Sequence, residues 1–229
     1  MATKRPSVVV TGANRGIGLE LVSQYLANDW QVHGCCRRPE LATQLAGLAS
    51  NSSLSIHQLD VSNPDSVKKL ALALSEQSID LLINNAGIYG GERQSFGDID
   101  YAQWTRVLEV NTLGPYRVST ALADQVGNSE QRMMVNISSA MGSIERYTSG
   151  GHYIYRSSKA ALNMVTVNLA HDLRSRGITV LSVHPGWVRT DMGGSSADIS
   201  AQTSAAGLRQ LISNTTIEDS GRFFSWDGS

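Results

Sequence analysis

The chain has 229 residues, with 19 basic and 20 acidic side chains for a formal charge of −1. This balance gives no electrostatic case for binding nucleic acid or an acidic membrane surface. Its composition, 41% hydrophobic with 21 glycines, is that of a globular protein, and no apolar run approaches the ~20 residues that span a bilayer. The opening MATKRP and the short SVVV after it do not make a signal peptide, so a cytoplasmic protein is expected. Cys35 and Cys36 are adjacent, which neither staples a fold nor builds a zinc site.

Taken in order, the elements alternate. SVVVT (7–11) predicts a strand, and GIGLELVSQYLAND (16–29) a helix through Ile17, Leu21, Val22 and Tyr25. WQVHGCC (30–36) predicts a strand, PELATQLAGLA (39–49) a helix opened by Pro39, and LSIHQLDV (54–61) a third strand. NPDSVKKLALALSEQ (63–77) predicts a helix capped by Asn63, with Asp65 near the positive dipole end. IDLLINNAG (79–87) runs as a strand into a glycine. One long helix follows over about 101–126, then the strand RMMVNISS (132–139), a helix containing Tyr155, and the strand ITVLSVHPG (178–186). The polar stretch GGSSADISAQTSAAG (193–207) reads as a loose region. Strands this uniformly apolar are covered on both faces. The pattern therefore predicts a single α/β domain over residues 1–229, a Rossmann-type doubly wound parallel sheet with helices on both faces.

TGANRGIG places Gly12, Gly16 and Gly18 between a strand and a helix, with Asn14, Arg15 and Ile17 among them. Glycines at such a turn let the backbone approach a pyrophosphate at the helix N-terminus. NAD-binding folds usually carry an acidic residue ~20 residues further on, against the ribose hydroxyls. Here Cys36 is followed by Arg37 and Arg38 instead. Arg15 and Arg37, with Arg38 left open as a third partner, suit a 2′-phosphate, so NADP(H) is favoured over NAD(H). Asp60 and Val61 close the third strand; Asn84, Asn85, Ala86 and Gly87 close the fourth. Both ends fall at the carboxyl edge of the sheet, where ligands of open α/β folds bind.

Tyr155 and Lys159 stand one helical turn apart at the head of an apolar helix carrying Ala160, Ala161, Leu162, Met164, Val165, Val167 and Leu169. A helix of that kind is buried, and burying a phenol with an ammonium is costly unless they serve a purpose. The lysine charge is expected to favour the phenolate and make the phenol proton transferable.

These motifs, T-G-x-x-x-G-x-G, N-N-A-G, NISS and Y-x-x-x-K, in this order over nearly the whole chain, resemble the short-chain dehydrogenase/reductases. GGHYIYRSSKAALNM, HPGWVRTDMGG and SGRFF look most like the C-factor and sniffer-type carbonyl reductase branch. The resemblance implies a catalytic set of Asn111, Ser139, Tyr155 and Lys159, with Tyr155 as general acid/base. Lys159 would also hold the nicotinamide ribose, and Asn111 would position a water serving Lys159. It further implies that Pro185 and Gly186 flank the nicotinamide, that Thr190 touches its carboxamide, and that Val188 belongs to the same strip. Ser138 competes with Ser139, which is preferred because S-A-M-G places Gly142 as the family's S-x-x-G does. Tyr153 competes with Tyr155, but only Tyr155 has a lysine four residues on.

The Ser139–Tyr155 spacing exceeds the commonest family spacing by three residues. The surplus falls in ERYTSGGHY, where Gly150 and Gly151 give the pocket rim freedom. Tyr147, Trp187 and Met192 are candidate apolar contacts there. The five histidines show no metal-ligand spacing, and no metal is expected. The expected function is an NADPH-dependent carbonyl reductase, reversible as an alcohol dehydrogenase, acting on small carbonyl or alcohol substrates. The alternative is a C-factor-like signalling or NADP(H)-sensing protein with little turnover. Family members are usually homodimers or homotetramers packed through long helices, and a monomer by sedimentation at micromolar concentration would count against that here.

Overall fold

The computed structural model describes residues 5–49 and 52–229. Seven parallel strands form one sheet in the order β3-β2-β1-β4-β7-β8-β9: β1 (Ser7–Thr11), β2 (Gln31–Cys36), β3 (Leu54–Gln58), β4 (Leu81–Asn84), β7 (Met133–Ile137), β8 (Thr179–His184) and β9 (Phe223–Ser225). A small hairpin, β5 (Gln94–Ser95) and β6 (Asp98–Ile99), stands apart. The strand order reverses between β1 and β4, which opens a crevice at their carboxyl ends.

Alternation along the strands sets the two layers. Val8 and Val10 face Leu21 and Val22 of α1 (Gly16–Leu26) and Leu208 and Leu211 of α8 (Ala201–Asn214). Val9 faces the other way, toward Val67 and Leu70 of α3 (Pro64–Ala73), Val118 of α5 (Gly114–Ala121) and Leu169 of α7 (Tyr153–Leu173). A short α2 (Thr43–Gly47) sends Leu45 into the first layer. It follows a 3₁₀ turn at Pro39–Leu41, so the predicted helix over 39–49 is divided. Asn63 caps α3 as expected, accepting from Asp65 N and Ser66 N.

Two expectations are corrected. The long helix over 101–126 is four pieces: α4 (Tyr101–Leu108), a π-helical turn at Glu109–Leu113, α5, and α6 (Ala123–Gly127) after a break at Leu122. Pro115 has no N–H to return to the Asn111 carbonyl, and the chain takes a wider turn in which Val110, Asn111 and Thr112 are all buried. The stretch read as a loose region over 193–207 contains the start of α8, which Ser200 caps by accepting from Thr203 N. Its mean hydropathy hides it. The signal was the cap followed by Ala205, Leu208, Leu211 and Ile212 at helical spacing.

A polar network pins the central strands to α7. Thr166 Oγ1 donates to the Leu162 carbonyl and accepts from Asn136 Nδ2 (2.9 Å) and Ser182 Oγ (2.8 Å), which uses its full hydroxyl valence. Asn136 Oδ1 in turn accepts from Asn84 Nδ2 at 2.9 Å. The first asparagine of NNAG is thus a strand-registering residue at the sheet centre.

His33 and His57, on neighbouring strands β2 and β3, meet with Nδ1 and Nε2 3.1 Å apart. Burial, with the neighbouring His57 adding to it, pushes His33 down to about 4. Its folded value lies below the unfolded one, so its full contribution is present above pH ~6.5 and is lost as pH falls toward 4. Urea unfolding should therefore show stability falling by about 3 kcal/mol across that interval from this group. His33→Leu should flatten the slope.

Candidate active site

The carboxyl ends of β1, β4, β7 and β8 border a cleft of about 730 Å³, within the size range of small-molecule sites. Gly12, Asn14, Arg15, Gly16, Ile17 and Gly18 line one part of it. Arg37, Arg38, Asp60 and Val61 line a second, and Asn85, Ala86, Gly87, Tyr155, Lys159, Pro185 and Thr190 the rest. Asn111 lies fully buried beneath the cleft, and Ser139 is 7% exposed beside Tyr155. Gly186 and Val188 do not border it: a side chain at Gly186 would meet Ile199 and Trp226, and Val188 is buried and bridged to Ile199. Leu41, Gln44, Ile88, Asp191 and Met192 also line the cleft, and sequence reasoning did not assign them to the cofactor wall.

The glycine loop is held against β4 by Asn85. Its Nδ2 donates to the carbonyls of Thr11 (2.9 Å) and Gly12 (3.1 Å), while Thr11 Oγ1 accepts from the backbone of Asn85 and Ala86. Gly12 has φ +67, and a Cβ on Gly18 would collide with the Gly12 carbonyl and Asn85 Nδ2. Only glycines bring the start of α1 this close to the strand ends.

Arg15 lines the cleft together with Arg37, and its guanidinium pairs with Asp191 at 2.7 Å. Both side chains are well exposed, so the pair is weak and exchangeable. Asp60 is occupied locally, accepting from Ser62 N (3.0 Å) and Ser62 Oγ (2.6 Å).

The two serines have different hydrogen-bond partners, and Ser138 is the one that lines the cleft. Ser138 Oγ donates to Asn163 Oδ1 at 2.6 Å and is committed there. Ser139 hydrogen-bonds the Tyr155 hydroxyl and caps the 3₁₀ turn Ala140–Gly142 by accepting from Met141 N. Gly142 is required because a Cβ there would strike the backbone of α7 at Lys159 and Ala160. The S-x-x-G pattern thus lets the loop after β7 lie directly on the tyrosine helix. Tyr153 points elsewhere and is 39% exposed.

Lys159 is buried, and its Nζ donates to the Ile137 carbonyl at 2.7 Å and lies 5.7 Å from the Tyr155 ring centre. Desolvation pulls the ammonium down to about 8. It also pushes Tyr155 up to about 12, against the lowering effect of the Ser139 hydrogen bond. Burial is the largest influence on the phenol, and the neighbouring Tyr89 adds to it. Asn111 Oδ1 accepts from Ile88 N, and its Nδ2 donates to the Ile88 carbonyl and to Ser158 Oγ. Both Nδ2 hydrogens are used, so the amide ties the segment after β4, the π turn and α7 together.

The expectation for α7 also needs adjustment. Its buried face includes Ser158, Lys159 and Thr166, while Met164 is 60% exposed. Trp187 and Met192 are about half exposed, and Tyr147 lies under Arg156 at 4.3 Å. Among the described residues, no group of three or more His, Cys, Asp or Glu could hold a metal, and no helix is long and apolar enough to cross a membrane.

A doubly wound sheet with this glycine loop and this Ser–Tyr–Lys cluster defines a dinucleotide-dependent class of fold. The family model for short chain dehydrogenases matches residues 6–200, and the chain belongs to that family. NADPH-bound carbonyl reductase from chicken fatty liver superposes with a TM-score of 0.91 at 36% identity, covering 99% of this chain and 98% of that one. The carbonyl reductase Sniffer of D. melanogaster gives 0.91 at 35% identity, with the same coverage. The C-signal protein of Myxococcus xanthus is 43% identical over 151 residues, 66% of this chain and 90% of that protein.

Proposed function

We propose that the protein is an NADPH-dependent carbonyl reductase that also runs as an alcohol dehydrogenase. The observation that carries this reading is the buried Lys159 beside Tyr155 on the cleft wall, with Ser139 hydrogen-bonded to the Tyr155 hydroxyl. A protein that only binds a dinucleotide has no need to bury an ammonium beside a phenol. The cleft suits the cofactor: the close approach at Gly12 and Gly18 leaves room for a pyrophosphate, and Arg37 and Arg38 replace the carboxylate that would repel a 2′-phosphate.

The glycine loop, Arg37 and Lys159 would hold NADP(H), which would supply or accept the hydride. Ser139 Oγ donates to the carbonyl oxygen and fixes its position. Tyr155 donates its proton to that oxygen as negative charge develops, yielding the alcohol, and takes it back in the reverse direction. Lys159, held by the Ile137 carbonyl, keeps two further N–H groups for the phenol oxygen and for a ribose hydroxyl. Leu113, Tyr116 and Met164 are exposed along α5, its preceding turn and α7, where a homodimer would pack; sedimentation tests that.

The direct experiment follows NADPH absorbance with a panel of simple aldehydes and ketones. Consumption dependent on both carbonyl and enzyme supports the reading. Tight NADPH binding without turnover of any of them would leave the sensing alternative. Arg37→Ala should raise the KM for NADPH about tenfold or more, the value of a charge-assisted hydrogen bond, with little change for NADH. An equal effect on both cofactors would mean that Arg37 does not meet the 2′-phosphate.

A further inference from the structure

Tyr89 and His152 lie outside the residues assigned above, yet they sit against them. The Tyr89 ring centre is 5.0 Å from that of Tyr155, with the planes tilted by 38°. The Tyr89 hydroxyl is 2.6 Å from His152 Nδ1.

The pair is held from both sides. Gln94, 3% exposed, donates through Nε2 to the carbonyls of Tyr89 (3.1 Å) and Gly91 (2.7 Å). Its Oε1 accepts from Tyr155 N at 3.0 Å. One buried amide therefore ties the backbone of Tyr89 to the first turn of α7. His152 has φ 52, a left-handed conformation that a non-glycine residue adopts at a cost. Arg156 anchors the preceding residues, donating to the Ser149 carbonyl at 2.7 Å. These contacts fall in the segment three residues longer than the common family spacing. The added residues deliver an imidazole to Tyr89.

A phenol has one donor and two acceptor sites. His152 takes one of them, and among the described residues no other side chain bonds the Tyr89 hydroxyl. Whichever partner donates in that bond, the Tyr89 oxygen keeps hydrogen-bonding capacity on a ring that packs against Tyr155. Ser139 and Tyr155 are spent on the reacting carbonyl oxygen. Tyr89 is then a third polar group for a substrate with a second oxygen.

We propose that Tyr89, oriented by His152, is a specificity-determining residue that hydrogen-bonds a hydroxyl carried on the carbon next to the reacting carbonyl, so that α-hydroxy carbonyl compounds are the preferred substrate class. The proposal rests on the carbonyl reductase reading of the cleft. Tyr89 makes a binding contact to substrate, and His152 is a positioning residue acting through it.

The test uses isosteric ketone pairs that differ only by hydroxyl against methyl: 2-hydroxyacetophenone with propiophenone, and hydroxyacetone with 2-butanone. The readout is the ratio of kcat/KM within each pair. In Tyr89→Phe the ratio should fall about fivefold to tenfold, the value of one neutral hydrogen bond. His152→Gly, which keeps the left-handed backbone but removes the imidazole, should lower the ratio in the same direction. His152→Asn, which tolerates the backbone and restores a polar partner, should recover most of it. A Tyr89→Phe variant with both members of each pair reduced equally, or with unchanged ratios, overturns the proposal while leaving the reductase reading intact. Wild-type protein that binds NADPH and turns over none of the four ketones overturns the reductase reading, and this proposal with it.

Discussion

Tyr155→Phe is expected to lower kcat for carbonyl reduction by about 10²–10⁴-fold, the contribution of a positioned general acid. NADPH binding should weaken no more than about tenfold, the value of one lost hydrogen bond. The change removes one oxygen and leaves the ring, which packs against Tyr89 and Lys159, in place. Desolvation holds the phenol near 12, so at neutral pH it is protonated and ready to donate. Stopped-flow hydride transfer with NADPH fluorescence titration separates the two effects. Ser139→Ala is the useful companion, because it removes the other bond to the carbonyl oxygen without removing a proton. A Tyr155→Phe variant with near wild-type turnover would exclude the mechanism. The proton would then have to come from another group.

Lys159→Met should abolish turnover and make the protein more stable at pH 7. The folded value of the lysine, about 8, lies below its ordinary 10.5. Below pH 8 both folded and unfolded chains are protonated, and the folded state carries the whole cost of burying the charge, about 3 kcal/mol. Between pH 8 and 10.5 the folded state gives up its proton first and the cost declines. Methionine fills similar volume without charge but leaves the Ile137 carbonyl without its donor, which costs about 1–2 kcal/mol. A net gain of about 1–2 kcal/mol at pH 7 is the expected result, shrinking by pH 9.5. Urea unfolding at both pH values measures it. A variant less stable at pH 7 would mean that the Lys159 hydrogen bonds outweigh desolvation.

Much of the site was legible because its motifs mark backbone necessities. Gly12 and Gly18 are required wherever a helix starts hard against a strand, and Gly142 wherever a loop lies on a neighbouring helix backbone. Their spacing could be read without coordinates. Other contacts were not legible for a common reason: their partners are far along the chain. Arg15 lines the cleft as its neighbours in the glycine loop suggest, while its ion pair with Asp191, 176 residues away, could not be read from them. Asn84 stands in a cofactor motif and instead meets Asn136 and Ser119 at the sheet centre. Helix α8 was missed because its first turn is made of small polar residues, and packing on the sheet, α1 and Trp226 stabilises it.

Local patterns were enough for the alternation of strands and helices, the layered fold, the glycine turn and the Tyr155–Lys159 pairing, because each depends on residues within a turn or two of one another. The hydrogen-bond partners of Ser138 and Ser139, the direction of the Tyr155 and Lys159 proton affinities, and the meeting of Tyr89 with His152 belong to the tertiary structure. Hydroxyl commitments, desolvation and ring contacts arise only when distant segments exclude water from the same place.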